Sequence, residues 1–196
     1  MLKYPMTLIL LTSLTLCSVE ATDRPQIAKK QTLSGLYLTA FEAYKLKQKE
    51  GNNALFVDIR TPSELVFVGS PKNTDIDIPF LRMDYDQWDD NQGGFKKIPN
   101  HAFLQQMATA LKIRKLNKES PIILICRSGS RSAKAANLLT REGYKNVYTV
   151  VDGFEGDKSV DASQQGKRTV NGWKNSGLPW SYKLDQNKLV TQNLSH

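Results

Sequence analysis

One loop of the sequence brings together residue types that suit nucleophilic chemistry. An apolar run over 121–125 ends at Cys126, and five small or basic residues follow before the chain becomes helix-like: Arg127, Ser128, Gly129, Ser130 and Arg131. Small residues let successive backbone N–H groups converge on one point, and Gly129 can adopt a positive φ. With the N-terminus of the next helix, these groups form an anion site that we expect to stabilise a Cys126 thiolate, aided by both arginines.

Other kinds of cysteine site fit this loop less well. A buried structural cysteine is the common alternative, but it leaves two arginines and a glycine at the end of a strand unexplained. A metal site needs further ligands, and the sequence offers only His101 and His196. A protease-like Cys–His pair would need His101, which falls at the start of a predicted surface helix. No Gly-Lys-Ser/Thr follows, which excludes a phosphate-binding P-loop. We interpret Cys126 as a reactive thiol and expect no metal.

Strand and helix patterns alternate around this loop. "ALFVDIR" (54–60) is short and apolar with β-branched residues, as is typical of a buried strand. "PIILIC" (121–126) is the most hydrophobic run and predicts the central strand. The alternation predicts an α/β fold with a mostly parallel sheet. Ligands of such sheets bind at the carboxyl ends of the strands, where Cys126 lies.

Local signals place the remaining regular elements. Thr61 suits a helix N-cap, Pro62 the first helical position and Glu64 the capping box of a short helix after the first strand. The other predicted elements are a helix from about Thr39 that stops at 51–53, a helix from 100 to 113 capped by Asn100, a helix over 131–143 with Ala133, Ala136 and Leu139 inward and Gly143 at its C-cap, and strands over 75–79 and 146–150.

Three regions read as irregular or weakly structured. Residues 82–99 are acidic, aromatic and then glycine-rich, and we expect a long excursion without firm secondary structure, of a kind that often lines a site. Residues 153–169 predict a polar loop. Residues 170–180 predict a short helix closed by apolar residues, in which Trp173 and Trp180 belong to the core.

The N-terminus has the pattern of a secretory signal peptide. Lys3 precedes an apolar run over 6–19, and small residues then suit cleavage after about Ala21. An uncleaved membrane anchor is the alternative, but the run is short and interrupted by Thr and Ser. Lipid attachment at Cys17 is disfavoured by the bulky residue before it. We therefore expect a periplasmic or secreted protein with no stable membrane span in its mature form.

This reading divides the chain into four parts: a signal peptide over 1–21, a flexible segment over 22–32, one domain over 33–182 and a polar tail over 183–196. Cleavage would leave Cys126 as the single cysteine, so no internal disulfide is expected. A lone thiol in an oxidising compartment is a liability unless it is used or hidden.

The chain is basic, with a formal net charge of +8 and a pI near 9.4. Such a charge favours anionic small molecules, acidic partners or membrane headgroups, or is simply a solvated surface. The basic residues are scattered, with no run longer than two and no interleaved aromatic platform. We therefore expect no nucleic-acid partner.

Three motifs resemble those of single-domain rhodaneses, a family of sulfurtransferases. They are "VDIRTPSE" (57–64), "ICRSGSRS" (125–132) and the spaced "DGF", "GW" and "GLPW" of 152–180, within a similarity that spans about 33–182. The resemblance implies a three-layer α/β fold and a persulfide mechanism without a cofactor. Cys126 would take the outer sulfur of an anionic donor such as thiosulfate, and pass it to cyanide, a thiol or a protein.

Loop length separates members of this superfamily. Four residues lie between Cys126 and Arg131, whereas related phosphatases and arsenate reductases have five. The shorter loop suits a sulfur atom, and Arg127 and Arg131 favour a charged donor. Ser128 and Ser130 either hydrogen-bond the persulfide or matter chiefly for their small size.

The resemblance also draws in Asp58 and Arg60 of the first motif. They either brace the loop or the donor, or form a purely structural ion pair. Glu64 is better explained as the capping-box carboxylate. The chain departs from the family pattern after the first motif, where a Gly-His-Ile is absent, and over 82–99 and 156–169, which are long enough to cover the crevice or to form a partner surface.

Two functions of different classes fit these features. The first is an exported thiosulfate sulfurtransferase that uses Cys126. The second is a sulfur-carrier or binding module that delivers persulfide sulfur to a partner protein with little turnover of its own. A redox or phosphatase-like thiol enzyme is a weaker third, because the loop is short and no resolving cysteine is present.

Overall fold

The computed structural model describes residues 22–190. The predicted signal peptide and the last six residues of the tail lie outside this range. The helices are α1 (Ala40–Glu50), α2 (Pro62–Val68), α3 (Phe103–Ile113) and α4 (Ser130–Arg141), and the strands are β1 (Tyr37–Leu38), β2 (Leu55–Asp58), β3 (Ser70–Pro71), β4 (Ile76–Asp77), β5 (Leu81–Asp89), β6 (Gly94–Pro99), β7 (Ile122–Ile125), β8 (Val147–Val150) and β9 (Trp180–Ser181). Short 3-10 helices lie at Ala28–Lys30, Gly51–Asn53, Ala162–Gln164 and Gln186–Lys188.

Five strands form a wholly parallel sheet in the order β1-β8-β7-β2-β4. This confirms the predicted α/β class. β7 is the middle strand and is buried along its whole length, as its uninterrupted apolar sequence predicted. The short edge strand β1 was not foreseen, because two residues carry no readable periodicity.

Helices and loops cover both faces of this sheet, which gives the three layers. Alternate residues of β2 and β7 point to opposite sides, so Leu55 and Leu124 join a core with α3 and α4. Phe56 and Ile125 join a second core with α1 and the buried Trp173. The sheet therefore holds the ends of its strands rigidly from both sides.

The predicted caps of two helices are present. Thr39 and Thr61 each accept a hydrogen bond from the backbone of the residue three positions on, and Glu42 and Glu64 reach back to the cap N–H. These boxes explain why α1 and α2 begin where the sequence indicated. Helix α3 begins at Phe103, three residues later than predicted, because the Asn100 side chain accepts from the Ala102 N–H in a turn before it.

The prediction of an irregular excursion over 82–99 was wrong. This segment forms an antiparallel hairpin of β5 and β6. Cross-strand packing of Phe95 against Tyr85 and Trp88 stabilises the hairpin. In its turn, the Asp89 carboxylate accepts hydrogen bonds from the Asn91 and Gln92 N–H groups. Because much of the hairpin is exposed to solvent, its sequence lacks the alternation of apolar and polar residues that indicates a strand.

The predicted short helix over 170–180 was also wrong. The segment is a series of turns in which Gly172 and Gly177 have positive φ, a conformation that a continuous helix does not contain. Trp173 is buried as expected, with its indole N–H donating to the Pro179 carbonyl. Trp180 is half-buried in β9, which pairs with β3.

Both terminal segments touch the domain. Lys30, in the segment expected to be flexible, forms an ion pair with Asp157 at 2.7 Å. Near the other end, Leu189 bridges to Asp77 of the edge strand β4. Over 22–190, the structure contains no helix long and apolar enough to cross a membrane.

Candidate active site

Cys126 sits where the sequence placed it, between the end of β7 and the start of α4. Its side chain is buried, and the Gly129 N–H donates to its sulfur at 3.2 Å. Gly129 has φ 92° and directly precedes α4, so the chain turns its N–H back toward the thiol. This geometry puts a hydrogen-bond donor against the sulfur, where an anionic sulfur can be held.

Ser132 is a neighbour of the thiol that the sequence reasoning missed. Its hydroxyl lies 3.6 Å from Cys126 Sγ and donates to the Gly129 carbonyl at 2.9 Å. Both contacts lie in the first turn of α4, so Ser132 fixes the loop closure around the sulfur. The signal was present, because a serine six residues after the cysteine falls on the helix face that looks back at the loop.

The segment after β8 braces the loop from the other side. The Phe154 N–H donates to the Cys126 carbonyl at 2.8 Å, and the Glu155 N–H donates to the Arg127 carbonyl at 3.0 Å. The loop packs so closely against this segment that a Cβ on Gly129 would collide with the Val151 carbonyl oxygen. The "DGF" motif therefore supports the loop backbone, a role that spacing alone did not reveal.

Arg131 does not point freely at the sulfur, because Glu64 holds it. Its Nη1 donates to Glu64 Oε2 at 2.7 Å and its Nη2 donates to the other carboxylate oxygen. Burial opposes ionisation of Glu64, but the hydrogen bonds and charge of Arg131 and those of Thr61 outweigh it and lower the pKa of Glu64 to about 2. Glu64 thus serves two purposes, capping α2 and clamping α2 to the start of α4.

Replacing Glu64 with glutamine should destabilise the fold by about 2 kcal/mol at pH 7, because the clamp loses its charge while the cap survives. The pKa of Glu64 is lowered from 4.5 to about 2 on folding. Its ionisation therefore stabilises the protein above pH 4.5, and this contribution disappears as the pH falls toward 2. Urea unfolding from pH 7 to pH 3 should show the difference between E64Q and wild type shrinking with acidity.

Glu42→Gln is the matched control, because Glu42 makes the same capping box without an arginine. We expect it to cost less than E64Q at pH 7. Equal losses for the two variants would mean that the Arg131 contact adds nothing to the cap.

Asp58 and Arg60 form a fully buried ion pair beneath the loop. Arg60 Nη2 donates to Asp58 Oδ2 at 2.6 Å and to the Gly69 carbonyl at 2.8 Å. The guanidinium stacks on the Phe154 ring, 4.1 Å from its centroid. Since Phe154 bonds the Cys126 carbonyl, the pair reaches the loop through that ring rather than through a direct contact with the thiol.

The other predicted loop residues are less buried than Cys126. Arg127 is exposed, and Ser128 and Ser130 are half-buried. Within residues 22–190, neither serine hydroxyl makes a hydrogen bond. Arg168, which the sequence reasoning did not single out, adds charge nearby: burial and the like charge of Arg127 both lower its pKa.

The site as a whole is a buried sulfur, an N–H that donates to it, and a rim that is more basic than acidic. These features allow a nucleophilic thiolate to attack a small anionic molecule and to hold the anionic sulfur that remains. They provide no second cysteine within 22–190 with which Cys126 could form a disulfide.

The chain shares sequence and fold with known proteins. A family model described as the rhodanese-like domain matches residues 40–159. An uncharacterized protein of Rickettsia prowazekii is 35% identical over 136 residues, which cover 67% of this chain and 85% of that protein. The thiosulfate sulfurtransferase GlpE of Tolumonas auensis is 40% identical over 47 residues, or 24% of this chain and 44% of that one. The crystal structure of Rv0390 from M. tuberculosis superposes with a TM-score of 0.55 at 30% identity, over 75% of this chain and 97% of that one.

Proposed function

Because the chain belongs to the family of rhodanese-like domains, we propose that it is a sulfurtransferase that carries sulfane sulfur as a persulfide on Cys126. The observation that carries this proposal is the hydrogen bond that the Gly129 N–H donates to the Cys126 sulfur, at the N-terminus of α4. A persulfide is an anion at neutral pH, and a position at the N-terminus of a helix suits its outer sulfur.

The donor we propose is small and anionic, with thiosulfate as the model compound. Cys126 is only 1% exposed, which favours a donor that presents a small outer sulfur to the thiol. The thiolate attacks the outer sulfur of thiosulfate, the bond between its two sulfurs breaks, and sulfite leaves with the electron pair. The exposed Arg127 offers a positive charge for the sulfonate end, and the Tolumonas relative is named a thiosulfate sulfurtransferase.

A second candidate function is delivery of the sulfur to a partner protein, with little turnover of small acceptors. The hairpin of β5 and β6 favours it, because Tyr85 and Trp88 expose about 60% of their surface there. Exposed aromatic side chains are enriched in protein interfaces. The Tyr85 hydroxyl also lies 3.0 Å from Ser63 Oγ at the start of α2, which places this aromatic surface beside the helix that clamps the loop.

We also propose that the protein is exported to the periplasm or outside the cell after removal of residues 1–21. The basis is the sequence pattern of that segment. Cell fractionation of the tagged full-length chain, with the N-terminus of the mature protein read by mass spectrometry, tests this proposal. A cytoplasmic protein of full length would refute it.

Intact mass spectrometry of the protein beginning at residue 22 tests the chemistry. Incubation with thiosulfate should add one sulfur, about 32 Da, and cyanide should remove it as thiocyanate. Cys126→Ser should gain nothing. No gain in the wild type, with a thiol that still reacts with iodoacetamide, would refute thiosulfate as donor. A stable persulfide that cyanide removes only slowly would favour the carrier function.

A further inference from the structure

A cavity of about 420 Å³ lies beside the sulfur-carrying loop and is not part of the thiol site. Its lining carries two cationic side chains, one carboxylate, one amide and a small apolar wall: Arg168, Lys174, Glu155, Asn175, Val68 and Gly166. A volume of this size accommodates a small organic molecule rather than only an ion. The unequal charge, two cations against one anion, selects for a ligand with more negative than positive groups.

Backbone hydrogen bonds connect this cavity to Cys126. The Cys126 carbonyl accepts from the Phe154 N–H at 2.8 Å, and the Phe154 carbonyl accepts from the Lys174 N–H at 2.9 Å. Backbones hydrogen-bonded in this way lie roughly 5 Å apart at each step, so the Lys174 backbone is about 10 Å from the Cys126 backbone. Glu155 is closer, because its N–H donates to the Arg127 carbonyl at 3.0 Å.

The two cations are held in place before any ligand arrives. Lys174 Nζ donates to the Val68 carbonyl and to the Tyr182 hydroxyl, both at 3.2 Å, and lies 4.3 Å from the Trp180 ring centroid. Arg168 Nη1 donates to the Gly156 carbonyl at 2.5 Å. Within residues 22–190, Arg168 forms no ion pair. Preorganised cations of this kind bind a carboxylate at a reduced entropic cost.

We propose that this cavity binds the sulfur acceptor, and that the acceptor is an amino-acid or peptide thiol with at least one carboxylate. Arg168 and Lys174 would bind carboxylates, and Glu155 would bind an ammonium group. The inference rests on the proposed persulfide function. In the transfer step the acceptor thiolate attacks the outer sulfur of the Cys126 persulfide. The bond to Cys126 breaks, its sulfur leaves as a thiolate, and the acceptor departs as a persulfide.

Both cations lie in the C-terminal part of the domain. The family model ends at residue 159, and both Arg168 and Lys174 lie beyond it. The extended segment over 156–169 delivers Arg168 to the cavity, where Asn175 Nδ2 donates to its carbonyl at 3.1 Å and to that of Glu155 at 3.0 Å. This segment thereby adds a cation to a cavity that Lys174 and Glu155 also line.

Acceptor kinetics with Arg168→Gln test the proposal. After loading with thiosulfate, sulfur loss from Cys126 is followed with reduced glutathione, a tripeptide thiol with two carboxylates and one ammonium group, and with uncharged 2-mercaptoethanol. R168Q should lower kcat/KM for glutathione about tenfold through KM, as expected for loss of one charged hydrogen bond. It should leave the rate with 2-mercaptoethanol within twofold. Arg141→Gln, the same change at the far, exposed end of α4, should alter neither.

A binding experiment separates this proposal from the persulfide function. Calorimetric titration of Cys126→Ser with S-methylglutathione, which cannot accept sulfur, should give binding that the added R168Q substitution weakens about tenfold. Equal binding with and without Arg168, or an equal loss of rate for both acceptors, would overturn the acceptor site. Failure of thiosulfate to load Cys126 would instead count against the proposed function and would leave the titration result unaffected.

Discussion

Replacing Gly129 with alanine is expected to slow persulfide formation at least 100-fold and to destabilise the fold by about 3 kcal/mol. Gly129 has φ +92°, where a residue with a side chain costs about 1–2 kcal/mol. Its Cβ would also collide with the Val151 carbonyl oxygen, and backbone cannot rotate away as a side chain can. The loop must shift, and a displacement near 1 Å is enough to misplace the N–H that meets the sulfur. Stopped-flow kinetics with thiosulfate and urea unfolding measure the two effects.

Gly177→Ala separates the collision from the backbone strain. Gly177 also has a positive φ, +69°, but no atom lies within 4 Å of where its Cβ would be. We expect this variant to lose about 1 kcal/mol and to react within twofold of the wild type. If Gly129→Ala resembles Gly177→Ala in both measurements, the tight packing of the loop against Val151 is not needed for the chemistry.

The parts of the fold that the sequence predicted correctly are those with a strong local signal. The apolar sequence of β7 predicted a central strand, and β7 is central. The capping box of Thr61 and Glu64 predicted the start of α2. The hairpin over 81–99 was missed because most of its side chains are exposed, and a strand without a buried face lacks a clear hydrophobic alternation. The segment over 170–180 was misread because the apolar spacing around Trp173 resembles a helix, while Gly172 and Gly177 enforce turns.

The site was predicted from one contiguous motif, and its supports come from elsewhere in the chain. The sequence indicates that Cys126 is followed by small residues, but not that Glu64, 67 positions away, holds Arg131. Nor does spacing reveal that Phe154 joins the Cys126 carbonyl to the Arg60 guanidinium. Such contacts depend on the order of strands in the sheet, which brings the ends of β2 and β7 and the segment after β8 together.

A second buried carboxyl lies next to the ion pair under the loop. Asp77 of β4 stands beside Asp58 in the parallel register, and its side chain is 5% exposed in a cavity of about 190 Å³ that Arg60 also lines. Within 22–190, neither Asp77 Oδ1 nor Arg60 Nη1 has a hydrogen-bond partner. Burial and the charge of Asp58 raise the pKa of Asp77 to about 8. One arginine therefore faces two aspartates, and Asp77 keeps its proton at neutral pH.

Asp77→Asn should raise the stability of the protein most at alkaline pH. The pKa of Asp77 is about 8 in the fold, against a usual 3.8, so the folded protein keeps a proton that the unfolded chain releases between these values. The wild type therefore loses stability as the pH rises from about 4 to 8. Asparagine resembles the protonated acid and removes this loss. We expect the variant to gain about 4 kcal/mol over the wild type at pH 8 relative to pH 4.5, or roughly ten degrees in Tm.

Thermal unfolding of wild type, D77N and the exposed-site variant Asp86→Asn at pH 4.5, 6 and 8 measures this difference. Asp86→Asn makes the same change of charge on the exposed hairpin, so its effect on Tm should be small and should not grow with pH. If D77N instead becomes less stable than the wild type as the pH rises, Asp77 is ionised in the fold and shares Arg60 with Asp58. The guanidinium under the loop would then be held by two carboxylates, and D77N should also slow persulfide formation by releasing Phe154 and the backbone of Cys126.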